Sequence, residues 1–538
     1  MRTSRTIVMG LFLCGLACAF GPLAPAADGS DETVAVRYHF AGAAHLAANT
    51  NFALAKRLLS LPSSVEFRNL VLDRLAGVFW RDLQFEKAGD PVAGLRPLLD
   101  DLLTVESVAS FGGASKDRMS FVLAAHLDKA RTQAWQQSLG AALGGKGEPF
   151  AAEGFSGTRW NRPGKNVFWM LPARDWIVAG QGDDLQAVRT DYLQQIQKNG
   201  RPWPALKETW LQADVNWPRL AAWVPLESCP FKLARTTLDV TSGHGRFHLT
   251  GFITYPGPVL WEAAPWRFPK DMVHEPLVSF TAGRDVAPFL KPDATLPRLC
   301  AKAFGDQFCC WAQGEMPFQS YAAWPVANGR EAMNKLAGES LPELNSVLTQ
   351  PGEAKLTWQA NRSEIVWAKS SIMAPALSPT HEKTGDYLLA GLFPLSERNA
   401  PPPASLWRQF ERRDDLVYYD WEFTGPRLQQ WRLLCELLPV LPPVADASAS
   451  AAAAGGRKAP LVIVDGWLAG LTPFLDNTVT EITRTSPGEL SVARTTPFVL
   501  TSYELLWLSH WLTETPSGPV NYNLLPRAKM SGPGLPSR

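Results

Sequence analysis

Apolar and polar positions alternate along much of the chain in short runs, broken at intervals by longer stretches with helical spacing. Asn166 to Leu171 and Trp176 to Gly180, separated by a turn at Pro172–Asp175, predict two paired strands. A helix is predicted from Asp183 to Lys198, where Leu185, Val188, Tyr192 and Ile196 form one apolar stripe. Asp183 and Asp184 suit its positive N-terminus, and Asn199-Gly200-Arg201-Pro202 stops it. From Leu416 to Phe423 the faces alternate, with Tyr419, Trp421 and Phe423 on one side and Asp420 and Glu422 on the other. Half-polar strands of this kind fit an α+β fold, a mainly antiparallel sheet with helices packed on one face.

The pattern recurs. Asp214-Val215-Asn216-Trp217-Pro218-Arg219-Leu220, followed by Trp223, matches Glu422-Phe423-Thr424-Gly425-Pro426-Arg427-Leu428, followed by Trp431, at identical spacing. Asn216 and Thr424 carry acceptors able to cap the following turn, and proline tolerates an early helical position because its missing N–H costs little there. Asp175 to Gly180 echoes Asp386 to Gly391, and Val167-Phe168-Trp169 echoes Ile365-Val366-Trp367. Phe40-Ala41-Gly42 and Thr281-Ala282-Gly283 each close a short apolar strand near the start of a copy. Hairpins are predicted from Leu238 to Thr250, turning at Gly243-His244-Gly245, and from Val479 to Ala493, turning at Ser486-Pro487-Gly488. The order of these matches predicts two related halves, 27–265 and 266–514. The helical region Asn51 to Leu103 has no counterpart of equal length in the second half, which marks it for a role specific to the first.

Outside this pattern lie three segments. Residues 1–26 read as a cleavable export signal, with Arg2 and Arg5, an apolar run from Ile7 to Phe20, and Ala24-Pro25-Ala26 as the cleavage site. The run is shorter than the ~20 residues a spanning helix needs, so no transmembrane segment is expected after cleavage. An Ala/Ser/Gly tract at 444–460 reads as a flexible insertion, and 515–538 as a Pro/Gly-rich disordered tail.

Cleavage would take the formal charge from +1 to −1, and basic residues form no cluster, so nucleic acid is excluded as a partner. Cys229, Cys300, Cys309, Cys310 and Cys435 would remain, an odd number. Cys435 shares a helical stripe with Leu428 and Trp431, Cys309 and Cys310 point to opposite faces of a strand, and pairing of one of these two with Cys300 is open.

The candidate chemistry is thin. His244 and His248 have a helical ligand spacing but sit in a hairpin, and neither metal nor cofactor is expected. Gly140 to Lys146 superficially fits a phosphate loop, yet follows a helix and lacks the Ser/Thr, so it reads as a helix C-terminus. Gly154-Phe155-Ser156-Gly157 falls short of a nucleophile elbow. Asp420 and Glu422 have the residue types of a glycosidase pair, but on the outer face of a strand they are expected to be solvated. Among the 21 tryptophans, Trp169, Trp223, Trp367 and Trp431 recur in both halves as core anchors would. Trp80, Trp203, Trp210, Trp261 and Trp266 do not recur, and are the candidates for a ligand-stacking platform.

The exported N-terminus, the repeated halves and the ending from Arg494 to Leu512 together resemble a group of exported bacterial proteins with two duplicated α+β halves and no established activity. The resemblance implies a fold and a periplasmic or extracellular location, and it transfers no site residues. A non-catalytic protein binding a protein or glycan partner in the cell envelope is the leading expectation. A carbohydrate-active or other hydrolytic enzyme, its acids drawn from distant segments, is the alternative.

Overall fold

The computed structural model describes residues 33–513 apart from 49–51, 83–84, 86–88, 114–118, 145–146, 163–165, 222–230, 260–263, 290–303, 315–318, 349–354, 368–375, 392–402 and 438–459. The expectations for residues 1–26, 444–459 and 515–538, and for Trp223, Trp261, Cys229, Cys300 and the Cys435 side chain, lie outside the described residues.

The fold is α+β, with twenty strands among the described residues in one antiparallel sheet. The first ten are β1 (Val34–Phe40), β2 (Ser107–Gly112), β3 (Ser120–His126), β4 (Glu148–Ala152), β5 (Phe155–Trp160), β6 (Phe168–Ala173), β7 (Trp176–Gln181), β8 (Leu211–Asn216), β9 (Arg235–Gly243) and β10 (Arg246–Thr254). They lie in the order β4-β5-β6-β7-β3-β2-β1-β8-β9-β10. The second ten are β11 (Leu277–Arg284), β12 (Gln307–Gln313), β13 (Ser320–Val326), β14 (Leu356–Gln359), β15 (Glu364–Trp367), β16 (Ala376–Glu382), β17 (Gly385–Gly391), β18 (Leu416–Phe423), β19 (Asn477–Ser486) and β20 (Glu489–Thr496). Their order is β14-β15-β16-β17-β13-β12-β11-β18-β19-β20, in which each strand takes the place of the one ten earlier. The two series meet where β10 pairs antiparallel with β20.

Turn chemistry sets the hairpins. Glu153-Gly154 and His244-Gly245 both have two consecutive positive φ values, 49° and 81° in the first and 52° and 72° in the second. That is the two-residue turn whose twist matches paired strands, and glycine supplies its second position without a Cβ clash. The helix expected from Asp183 runs from Gln186 to Asn199, buries Val188, Tyr192 and Ile196, and stops at left-handed Gly200. Helix Lys129–Leu143 ends at left-handed Gly144, as the Gly140–Lys146 segment led us to expect.

Directly paired residues point to the same side of a sheet, so the register assigns every strand position to one of two faces. On the front face, the helices of both series share one core. Phe67, Val71, Leu72 and Leu75 of helix Pro62–Asp82 pack with Trp467, Leu468 and Leu471 of helix Pro460–Leu471, and with Leu505, Trp511 and Leu512 of helix Ser502–Thr513. Phe67 and Trp467 are stacked, with centroids 3.5 Å apart. The helical region Asn51–Leu103 therefore ties the first series to the second. Helices also occupy the back face of the first series, where one covered face was expected: Gln186–Asn199 seals Val108, Val122, Ala124, Leu171 and Val178 there. In the second series, Phe268, Trp407 and Phe410 cover Phe280, Ala282 and Tyr419 on the back.

Candidate functional site

Between those two covered regions the back face changes character. One rung can be followed strand by strand through Val178, Ala124, Val108, His39, Gln212, Asp239, Thr250, Ala493, Glu481, Tyr419, Ala282 and Cys309. Its two ends are apolar and belong to the cores just described. Its middle is polar, with Thr250 and Ala493 exposed and Gln212, Asp239 and Glu481 half-buried. A neighbouring rung runs Arg37, Asp214, Thr237, Phe252, Ser491 and Thr483, and on the other side lie Thr241, His248 and Thr495. The join of the two series thus presents a strip of carboxylate, amide, imidazole and hydroxyl groups.

Within the strip most charges are paired. Arg235 holds Asp214 at 2.5 Å and Arg413 reaches Glu481 at 3.4 Å. His39 Nε2 lies 2.9 Å from Glu106, whose two oxygens also accept from Arg201 at 2.8 and 3.0 Å. The His39 and Arg201 contacts hold the Glu106 carboxyl below its ordinary range, against the opposing effect of burial. Among the described residues, His39 Nδ1 and Asp239 Oδ1 on this rung have no hydrogen-bond partner, and both are buried. Burial pushes the Asp239 carboxyl up to about 6, although Gln212 bonds to it. These two atoms flank Gln212 on one rung of the strip.

A second polar concentration lies on the front face of the second series. Asp420 and Glu422 are not the solvated outer acids the alternation suggested: Asp420 is half-buried, and the start of helix Ser502–Thr513 binds Glu422. Glu422 is buried and accepts from Ser502 N at 2.7 Å and from Ser502 Oγ at 2.5 Å. Arg494, also buried, donates to both oxygens of Glu504 at 2.9 and 3.2 Å and to Thr480 Oγ1 at 2.9 Å. Burial raises the Asp420 carboxyl to about 6; repulsion from Glu422 adds to this, and a 2.5 Å hydrogen bond from Thr281 opposes it. Because Glu422 commits both oxygens to Ser502, the pair offers no free second carboxylate for glycoside hydrolysis.

The other residues singled out in the sequence fall as follows. Trp80 and Trp210 are core side chains, each 8% exposed. Trp210 is ringed by Phe40, Phe52 and Phe247, which its position before a strand did not reveal. Trp266 stacks on Phe268 under the Arg284 guanidinium. Trp203 is half-buried at the rim of the strip, beneath the Arg37 guanidinium at 4.9 Å and edge-on to Tyr192. Trp169 is buried, whereas Trp431 is half-buried between Arg427 and Tyr503. Asn216 caps its helix by accepting from Arg219 N at 3.2 Å, but Thr424 Oγ1 bonds Thr478 Oγ1 instead. His248 bonds Thr495 and the Gly243 carbonyl within the sheet. Cys309 and Cys310 are free thiols, which corrects the suggestion that one of them pairs with Cys300.

No family model matches the sequence, and searches of curated proteins and of solved structures give no significant match. Among the described residues no three metal-ligating side chains converge, and no helix is long and apolar enough to cross a membrane.

Proposed function

We propose that the chain is a non-catalytic exported protein of the cell envelope, built by duplication of one α+β unit, which holds a hydroxyl-rich ligand of the glycan class across the strip at the join. The observation that carries the reading is the rung from His39 to Glu481: it is polar and open at its centre in a sheet whose same face is apolar and covered on either side. A sugar hydroxyl both donates and accepts, and so complements carboxylate, amide and threonine side chains set side by side. Trp203 supplies an apolar wall at the rim, the one platform candidate among the described residues that borders the strip. The shared strand order of the two series supports the duplication.

Calorimetric titration of the purified mature chain with soluble N-acetylglucosamine and glucose oligosaccharides tests this reading. Saturable binding that weakens in Asp239→Ala is expected, and no heat with any of the oligosaccharides would count against the glycan assignment. Export is tested separately by N-terminal sequencing of secreted material, which should begin near Ala27.

A further inference from the structure

On the front face, away from the strip, uncommitted polar groups of both charge signs converge. Cys310, Thr281 and Asp420 are direct neighbours on one rung, and Tyr418 follows on the same face of β18. Arg427 comes down on them from helix Thr424–Leu437. Arg427 feels the charge of Asp420, and Cys310 feels both. Glu422, Arg494 and Glu504 are the charged groups that act on Asp420.

What these groups leave unused is informative. Among the described residues Asp420 receives one hydrogen bond, from Thr281 to Oδ1, so Oδ2 is uncommitted. Among the described residues Arg427 spends only Nη1, on Ser320 at 3.2 Å and Gln430 at 2.9 Å, which leaves Nε and Nη2 uncommitted there. Those two bonds and the Trp431 ring, 4.2 Å below the guanidinium, fix the plane of the fork. A fixed planar fork is suited to a carboxylate. Tyr418, Asp420, Cys310 and Arg427 are all half-buried, whereas Glu422, Thr478 and Arg494 beside them are sealed. The Cys310 thiol is pushed up to about 12 by burial, so it is no nucleophile and acts as a wall.

We propose that Arg427 and Asp420 form a binding site for a small zwitterion, an α-amino acid or the end of a peptide, with its carboxylate on the Arg427 fork and its ammonium on Asp420 Oδ2. A simple anion would meet Asp420, Glu422 and Glu504, and a simple cation would meet Arg427 and Arg494. A ligand carrying both charges a few bonds apart satisfies both sides. The site is independent of the strip at the join, and neither proposal depends on the other.

The test is calorimetry and thermal shift of the whole mature chain with the standard L-amino acids and an alanyl dipeptide as probes. At least one should bind with a Kd of about 1 mM or tighter. Its N-acetyl and methyl-ester analogues should each lose about tenfold or more, a comparison that needs no variant protein. Asp420→Asn and Arg427→Gln should lose binding by a similar factor, and Asp239→Asn in the strip should leave it unchanged. Affinity should climb as the pH rises through about 6, where Asp420 ionises. Absence of binding by all probes, or equal binding of the blocked analogues, overturns the proposal.

Discussion

Thr250 pairs directly with Ala493, and each is the fifth residue past the glycine, Gly245 or Gly488, that closes its own hairpin. The edge of the first series therefore meets the edge of the second through equivalent positions, as identical patches meet across a two-fold axis. The join is reinforced on the front face by the core that helices Pro62–Asp82, Pro460–Leu471 and Ser502–Thr513 share.

Because that core draws on both series, the halves are expected to be inseparable. The segment 27–265 expressed alone would expose both the β10 edge and the apolar stripe of Pro62–Asp82. It should aggregate, while the mature chain unfolds in one transition by circular dichroism and by tryptophan fluorescence. Two transitions, or a soluble folded half, would contradict this.

Glu422 holds the start of helix Ser502–Thr513 through Ser502 N and Oγ. Replacing it with alanine leaves both donors buried without an acceptor, at an expected cost of about 2–4 kcal/mol in chemical denaturation. Ser502→Ala removes one bond of the pair and should cost less.

The Asp239 and Asp420 carboxyls are both raised to about 6. The folded chain then binds more protons than the unfolded chain between about pH 4 and pH 6, and stability falls as pH climbs through that window. Asp239→Asn and Asp420→Asn should each stabilise the chain at pH 7 by about 1 kcal/mol, a figure reduced for solvent screening of half-exposed groups. The difference from wild type should vanish below about pH 4. A variant no more stable at pH 7 than wild type would show that its carboxyl is not strained by folding.

The alternating strands, the paired hairpins and the punctuated helices were legible because their causes are local: side-chain period, capping acids and turn glycines. The position of Asp420 and Glu422 was not. Alternation placed both on one face of β18 but could not say that helix Ser502–Thr513, some eighty residues on, would start against Glu422 there. The strip was equally hidden, since His39, Gln212, Asp239 and Glu481 come from four strands that only the sheet order brings onto one rung. The proline junctions were visible as a repeat, yet they start helices of four and fourteen residues.

Trp210 and Trp203 separate core from rim. Trp210→Ala should cost about 3–5 kcal/mol, because the ring is enclosed by Phe40, Phe52 and Phe247. Trp203→Ala should cost about 1 kcal/mol and weaken oligosaccharide binding. Equal stability losses at the two positions would remove Trp203 from the binding surface.

The central claim, that the strip at the join holds the ligand, is tested most directly at Ala493, which is exposed at its centre. Calorimetric titration of Ala493→Arg beside wild type, with the oligosaccharide that binds wild type best, should show affinity reduced about tenfold or more at an unchanged melting temperature. Equal affinity in the two proteins would contradict the account.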